Sequence, residues 1–117
     1  MVREPRAFLW DARNSADAIA RFIRGKSFQD YLADDILRSA VERQFEIVGE
    51  ALSQLSKADT KLAARLTDAG KVIGFRNVLI HGYAKVDHAI VWQAATRDLP
   101  GLHATLDALL KELGEAP

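Results

Sequence analysis

The chain has 117 residues, a size that matches one domain (1–117), and its 16 Lys+Arg balance 16 Asp+Glu to a formal net charge of zero. With 49% hydrophobic and 27% charged residues it can bury a core and keep a solvated surface, which argues against extensive disorder. Charge neutrality excludes a globally basic nucleic-acid coat but leaves room for a local basic site, and the lack of cysteine excludes a disulfide scaffold, a cysteine nucleophile and a Cys-ligated zinc.

Ala and Leu are abundant, strand-like alternation is scarce, and prolines occur only at Pro5, Pro100 and Pro117, so the chain reads as nearly all helix. A first helix is expected from Pro5, a tolerated first-turn residue, to about Gly25. Phe8, Ala12, Ala16, Ile19 and Ile23 give it one apolar stripe. A second helix is expected to start between Ser27 and Asp30, with Ser27 available as its cap, and to continue to about Ser56.

That second helix carries two stripes. Leu37, Val41, Phe45, Val48, Leu52 and Leu55 form one; Ala33, Ile36, Ala40, Ile47 and Ala51 form the other. So wide an arc suits either a subunit contact or the central helix of a bundle. Gly49 inside it costs about 1 kcal/mol relative to Ala, which the close approach of another backbone would explain.

Lys57 to Leu66 is polar, then weakly helical, and Asp68-Ala69-Gly70 reads as a break. A third helix is expected from about Lys71 to His81, stopped at Gly82. Asp87 should cap the next, which runs through Trp92 to Arg97 before Asp98-Leu99-Pro100 restarts or kinks it. Leu102, Leu106, Leu109 and Leu113 mark a last amphipathic helix ending at Gly114. Short connections predict an all-α, four- to five-helix antiparallel bundle. The longest run without charge, His88 to Thr96, has nine residues, too few for a bilayer span of about 20. No apolar signal core follows the charged N-terminus, so the expected location is the cytoplasm.

Few constellations carry chemistry. Gly70-Lys71 lacks the remainder of a phosphate loop, and His81, His88 and His103 lack zinc-motif spacing. Arg38, Glu42, Glu46 and Glu50 lie four apart; they read as a solvated face partnered by Arg38 and Arg43, or as a carboxylate ladder for a divalent ion.

The segment Phe75-Arg76-Asn77-Val78-Leu79-Ile80-His81-Gly82-Tyr83 differs. With Arg76 at the origin of a helical wheel, Asn77 falls at about 100°, His81 at about 140° and Tyr83 at about −20°. Val78 falls at about 200° and Leu79 at about 300° on the same wheel. One arc is apolar. The other offers a guanidinium that can fork onto phosphate and an imidazole that can move a proton near neutral pH. RNA brings its own nucleophile, the 2′-hydroxyl, so such a pair could cleave a phosphodiester with no metal and no cofactor. The same residues also fit a polar helix end with His81 as a cap.

The motif Arg76, four residues, His81, one residue, Tyr83 resembles that of the HepT-like toxins of the HEPN superfamily. Ile73-Gly74-Phe75, Val86-Asp87, Val91-Trp92, Arg43, Glu46-Ile47-Val48-Gly49-Glu50-Ala51 and Asp98-Leu99-Pro100-Gly101-Leu102 are similar too, so the resemblance covers roughly Phe8 to Leu113. One departure is the lack of the family's frequent Pro and Trp between Thr67 and Lys71. The resemblance implies a HEPN-like bundle and a homodimer with Arg76 and His81 of both chains in one cleft. It implies the metal-independent RNase of a type VII toxin–antitoxin pair. Asn77 would orient the catalytic pair, and Arg43, Glu46 and Glu50 would line the cleft. The implied partner is an MntA-type minimal nucleotidyltransferase that transfers AMP to Tyr83. Another class of function fits the same residues: a non-catalytic helical subunit that binds nucleotide or substrate for such a transferase. A plain helical dimerisation protein is a third reading.

Overall fold

The computed structural model describes residues 3–66, 69–81 and 86–114, and of residues 69, 70, 78, 80 and 81 the backbone alone. Among them there is no strand. Helix α1, Pro5–Ile23, starts with proline in its first turn and runs into Gly25 at φ 73°. Of its predicted stripe Ala12, Ala16 and Ile19 are buried, while Phe8 and Ile23 are half-buried and Leu9, outside the predicted stripe, joins the core.

The predicted second helix is two. Helix α2, Phe28–Ala33, opens with a capping box: Ser27 Oγ accepts from Asp30 N (3.1 Å) and Ser27 N donates to Asp30 Oδ2 (2.9 Å). Asp34 then takes an extended conformation, and its Oδ1 accepts from Ile36 N and Leu37 N (3.1 and 3.0 Å) to open α3, Asp35–Ala58. Arg38 braces the corner by bonding Asp35 and the carbonyls of Tyr31 and Leu32. A capping aspartate inside an apolar pattern thus overrides helical continuity. The corner buries the Tyr31 ring against Trp92, with centroids 5.3 Å apart.

Helix α4 is one short turn pair, Thr60–Ala64, capped by Asp59. Helix α5 covers Ala69–His81, so it begins before the expected Lys71. The expected break at Asp68-Ala69-Gly70 is helical at its last two residues, while Asp68 lies outside the described residues. Asp87 caps α6, His88–Gln93, as predicted. Pro100 does not stop the chain. A π-turn over Ala94–Asp98, closed by Leu99 N–H on the Ala94 carbonyl, absorbs the missing proline donor, and α7 follows as Leu99–Glu112. Gly114 terminates it at φ 87°.

Helix α3 lies between α1 and α5, and α1 also packs on α7. The ion pair Arg13–Asp107 (3.2 Å) and the His103–Asp17 hydrogen bond (2.5 Å), with Arg6 reaching the Leu113 carbonyl, run α1 and α7 antiparallel. The core is the first stripe of α3, from Leu37 to Leu55, packed on Leu9, Ile19, Leu106 and Leu110. No helix among the described residues is long and apolar enough to cross a membrane.

Candidate active site

Helix α5 carries Arg76, Asn77 and His81 of the motif and packs on α3. Leu79 is buried, and Phe75 meets Phe45 of α3 edge-on at 5.1 Å, which seats the apolar arc of α5 against α3. Arg76 sits beside that contact rather than out on a polar face, with only 20% of its side chain exposed. Its stem lies flat on Gly49. A Cβ at Gly49 would stand 3.0 Å from Arg76 Cγ and closer still to Arg76 Cβ, an overlap no small adjustment removes. The glycine inside α3 is therefore explained by a side chain of α5 and not, as the sequence suggested, by a second backbone.

The guanidinium emerges from this slot next to Glu50. Arg76 Nη1 donates to Glu50 Oε2 at 2.7 Å, while Arg76 Nε is buried with no hydrogen-bond partner. Glu50 also faces a groove of about 180 Å³ between α3 and the start of α1. Arg43 and Glu46 line the same groove and pair with each other at 3.2 Å. On the opposite wall Arg3 pairs with Asp11 (2.7 Å) and covers the Phe8 ring at 5.0 Å. The three expected cleft residues, Arg43, Glu46 and Glu50, line one groove, and of them Glu50 is the one bonded to Arg76, which is not itself a lining residue of that groove. Sequence reasoning identified Glu50 but not its bond to Arg76. The one available signal was its position next to the anomalous Gly49.

The carboxylates predicted to share one face have separate surroundings. Glu46 has Arg43 and Glu50 has Arg76. Glu42 is half-buried, and that burial raises its carboxyl above the usual range, against the opposing pull of His88 and Arg38. Arg38 makes its bonds at the α2–α3 corner and reaches the ladder only through its charge on Glu42. Among the described residues no three His, Asp or Glu side chains converge closely enough to hold a metal ion.

Asn77 is exposed, one position after Arg76. His81 is the last residue of α5, five positions and about 7.5 Å of helix rise beyond Arg76; its side chain lies outside the description, as do Gly82 and Tyr83 entirely. His103 is held by Asp17, and the His88 ring packs edge-on against Tyr31 at 6.4 Å. In chemical terms, a guanidinium held in a slot can receive a phosphate.

Residues 12–109 match the family described as "Ribonuclease HepT-like". Among relatives, a Methanocaldococcus jannaschii protein provisionally named RNase MJ1380 is 31% identical over 84% of this chain and 89% of its own. A second protein of that organism, provisionally named RNase MJ0125, is 28% identical over 97% of both chains. A Thermococcus cleftensis protein provisionally named ribonuclease HepT is 30% identical over 95% of this chain and its own whole length. No solved structure matches. With the Arg76–His81 helix seated on α3 and the match spanning most of the sequence, the chain belongs to the ribonuclease HepT-like family.

Proposed function

We propose that the protein is a metal-independent endoribonuclease acting as the toxin of a type VII pair. Its substrate class follows from the names of its relatives, and its chemistry from Arg76 and His81. His81 takes the proton of a ribose 2′-hydroxyl, and the 2′-oxygen attacks the adjacent phosphorus. The bond to the 5′-oxygen breaks, and that oxygen leaves with a proton returned by the imidazolium that His81 formed in the first transfer. The products are a 2′,3′-cyclic phosphate and a 5′-hydroxyl. Arg76 meets the extra negative charge of the five-coordinate phosphorus. Asn77 orients the pair, and the groove of Arg43, Glu46 and Glu50 flanks the scissile phosphate.

The working form is a homodimer with two Arg76–His81 sets in one cleft. An MntA-type nucleotidyltransferase silences it by transferring AMP to Tyr83, whose new phosphodiester occupies the place of an RNA phosphate. The observation that carries this reading is the built seat of Arg76: a helix glycine given up for its stem and a carboxylate at its Nη1.

A second reading is a non-catalytic binding subunit of the transferase. The observation in its favour is that Glu50 already occupies part of the guanidinium. RNA incubated with pure protein separates the two. Cleavage that disappears in both Arg76→Ala and His81→Ala, with helical circular dichroism retained, supports the enzyme. Parental rates in either variant would overturn the assignment, and no cleavage by wild type would favour the binding subunit.

A further inference from the structure

We infer that Glu50 is a positioning residue that fixes which edge of the Arg76 guanidinium faces the phosphate, an inference that rests on the RNase reading above. A guanidinium has five N–H donors and three edges. In this protein the Nε–H is enclosed without a partner, so the edge that pairs Nε with Nη2 is closed to a ligand. One Nη1 hydrogen is taken by Glu50 Oε2 at 2.7 Å. What remains for a ligand is the other Nη1 hydrogen and the Nη2 hydrogen pointing away from Nε, so a phosphate is met from the end of the group and not along the closed Nε edge.

The stem cannot supply this orientation alone. It is clamped against Gly49, which fixes Cβ to Cδ, but rotation beyond Cδ would still let the planar group swing. Glu50 adds the missing constraint through a charge-assisted bond from the neighbouring residue of α3. The two consecutive residues Gly49 and Glu50 therefore act as a seat and a stop for one arginine. Glu50 is 52% exposed, so its own removal takes away no core packing, and circular dichroism and thermal melting of the variants separate loss of orientation from loss of fold.

The test compares Glu50→Ala and Glu50→Gln in the full chain, by steady-state RNA cleavage and by the guanidinium NMR signals of Arg76, assigned through Arg76→Lys. Glu50→Ala should lower kcat by about 10- to 100-fold while KM moves by less than about threefold, because misorientation is felt in the transition state. Glu50→Gln keeps an acceptor oxygen and should recover most of that loss. In wild type the Arg76 Nη signals should be resolved by slowed rotation; in Glu50→Ala they should average, and in Glu50→Gln return. Wild-type or higher kcat in Glu50→Ala, equal losses in the two variants, or Nη signals unaffected by removing Glu50 would overturn the inference. Wild type that cuts no RNA would strike the RNase reading alone, and the guanidinium spectra would still decide whether Glu50 orients Arg76.

Discussion

The chain has two tyrosines, and their surroundings make the proposed modification testable. Tyr31 is fully buried, and its hydroxyl is enclosed without a hydrogen-bond partner. Burial, reinforced by Glu42, pushes that phenol well above its usual pKa of 10. It is therefore neither accessible to a transferase nor easily ionised as a nucleophile. AMP should accordingly be found on Tyr83 by mass spectrometry after incubation with ATP and the antitoxin, and Tyr83→Phe should resist both modification and silencing. Adenylylated Tyr31, or full silencing of Tyr83→Phe through binding alone, would refute that mechanism. At this scale residue type and spacing single out Arg76, His81 and Tyr83 as a candidate set, and the helix penalty singles out Gly49, whose contact with the Arg76 stem the structure shows. The sequence was not legible where the answer is a contact between elements. Neither the clamp of Gly49 on the Arg76 stem nor the bond from Arg76 to Glu50, 26 positions away, has a local signature.

Between elements, α3 explains most of what was read correctly and one thing that was not. Its first stripe is the core, as the 3.6-residue period predicted. Its length was overread because Asp34 has the same appearance in an apolar pattern as any solvent-facing aspartate; only its capping bonds to Ile36 and Leu37 reveal a helix start. The π-turn before Pro100 was likewise read as a kink or restart, since the sequence marks the missing donor but not how the backbone accommodates it. The second stripe is covered unevenly: Ala51 is buried and Ile47 half-buried, whereas Ile36 is 82% exposed. Leu32 of α2 is exposed nearby in sequence. Apolar surface left by intrachain packing fits the proposed pairing with a second copy. Light scattering at working concentration should give twice the 12.9 kDa of one chain. A stable 12.9 kDa monomer with full RNase activity would contradict the shared cleft.

For the whole molecule, fold class was the most legible property. Helical periodicity, proline and glycine placement and capping residues agree along the chain, and the structure is the all-helical bundle they predict. The charge balance also persists at the site: Arg3, Arg43 and Arg76 each hold a carboxylate, so the groove is not a broadly basic surface. RNA must then be held by few, well-placed contacts, and activity should come from chemistry at one phosphate rather than from electrostatic capture. The most direct measurement is the chemical identity of the ends produced when the wild-type protein cuts RNA in EDTA. The account predicts a 2′,3′-cyclic phosphate, or its 3′-phosphate hydrolysis product, opposite a 5′-hydroxyl, with 2′-blocked RNA left intact. Cleavage that needs a divalent metal and leaves 3′-hydroxyl ends would contradict it.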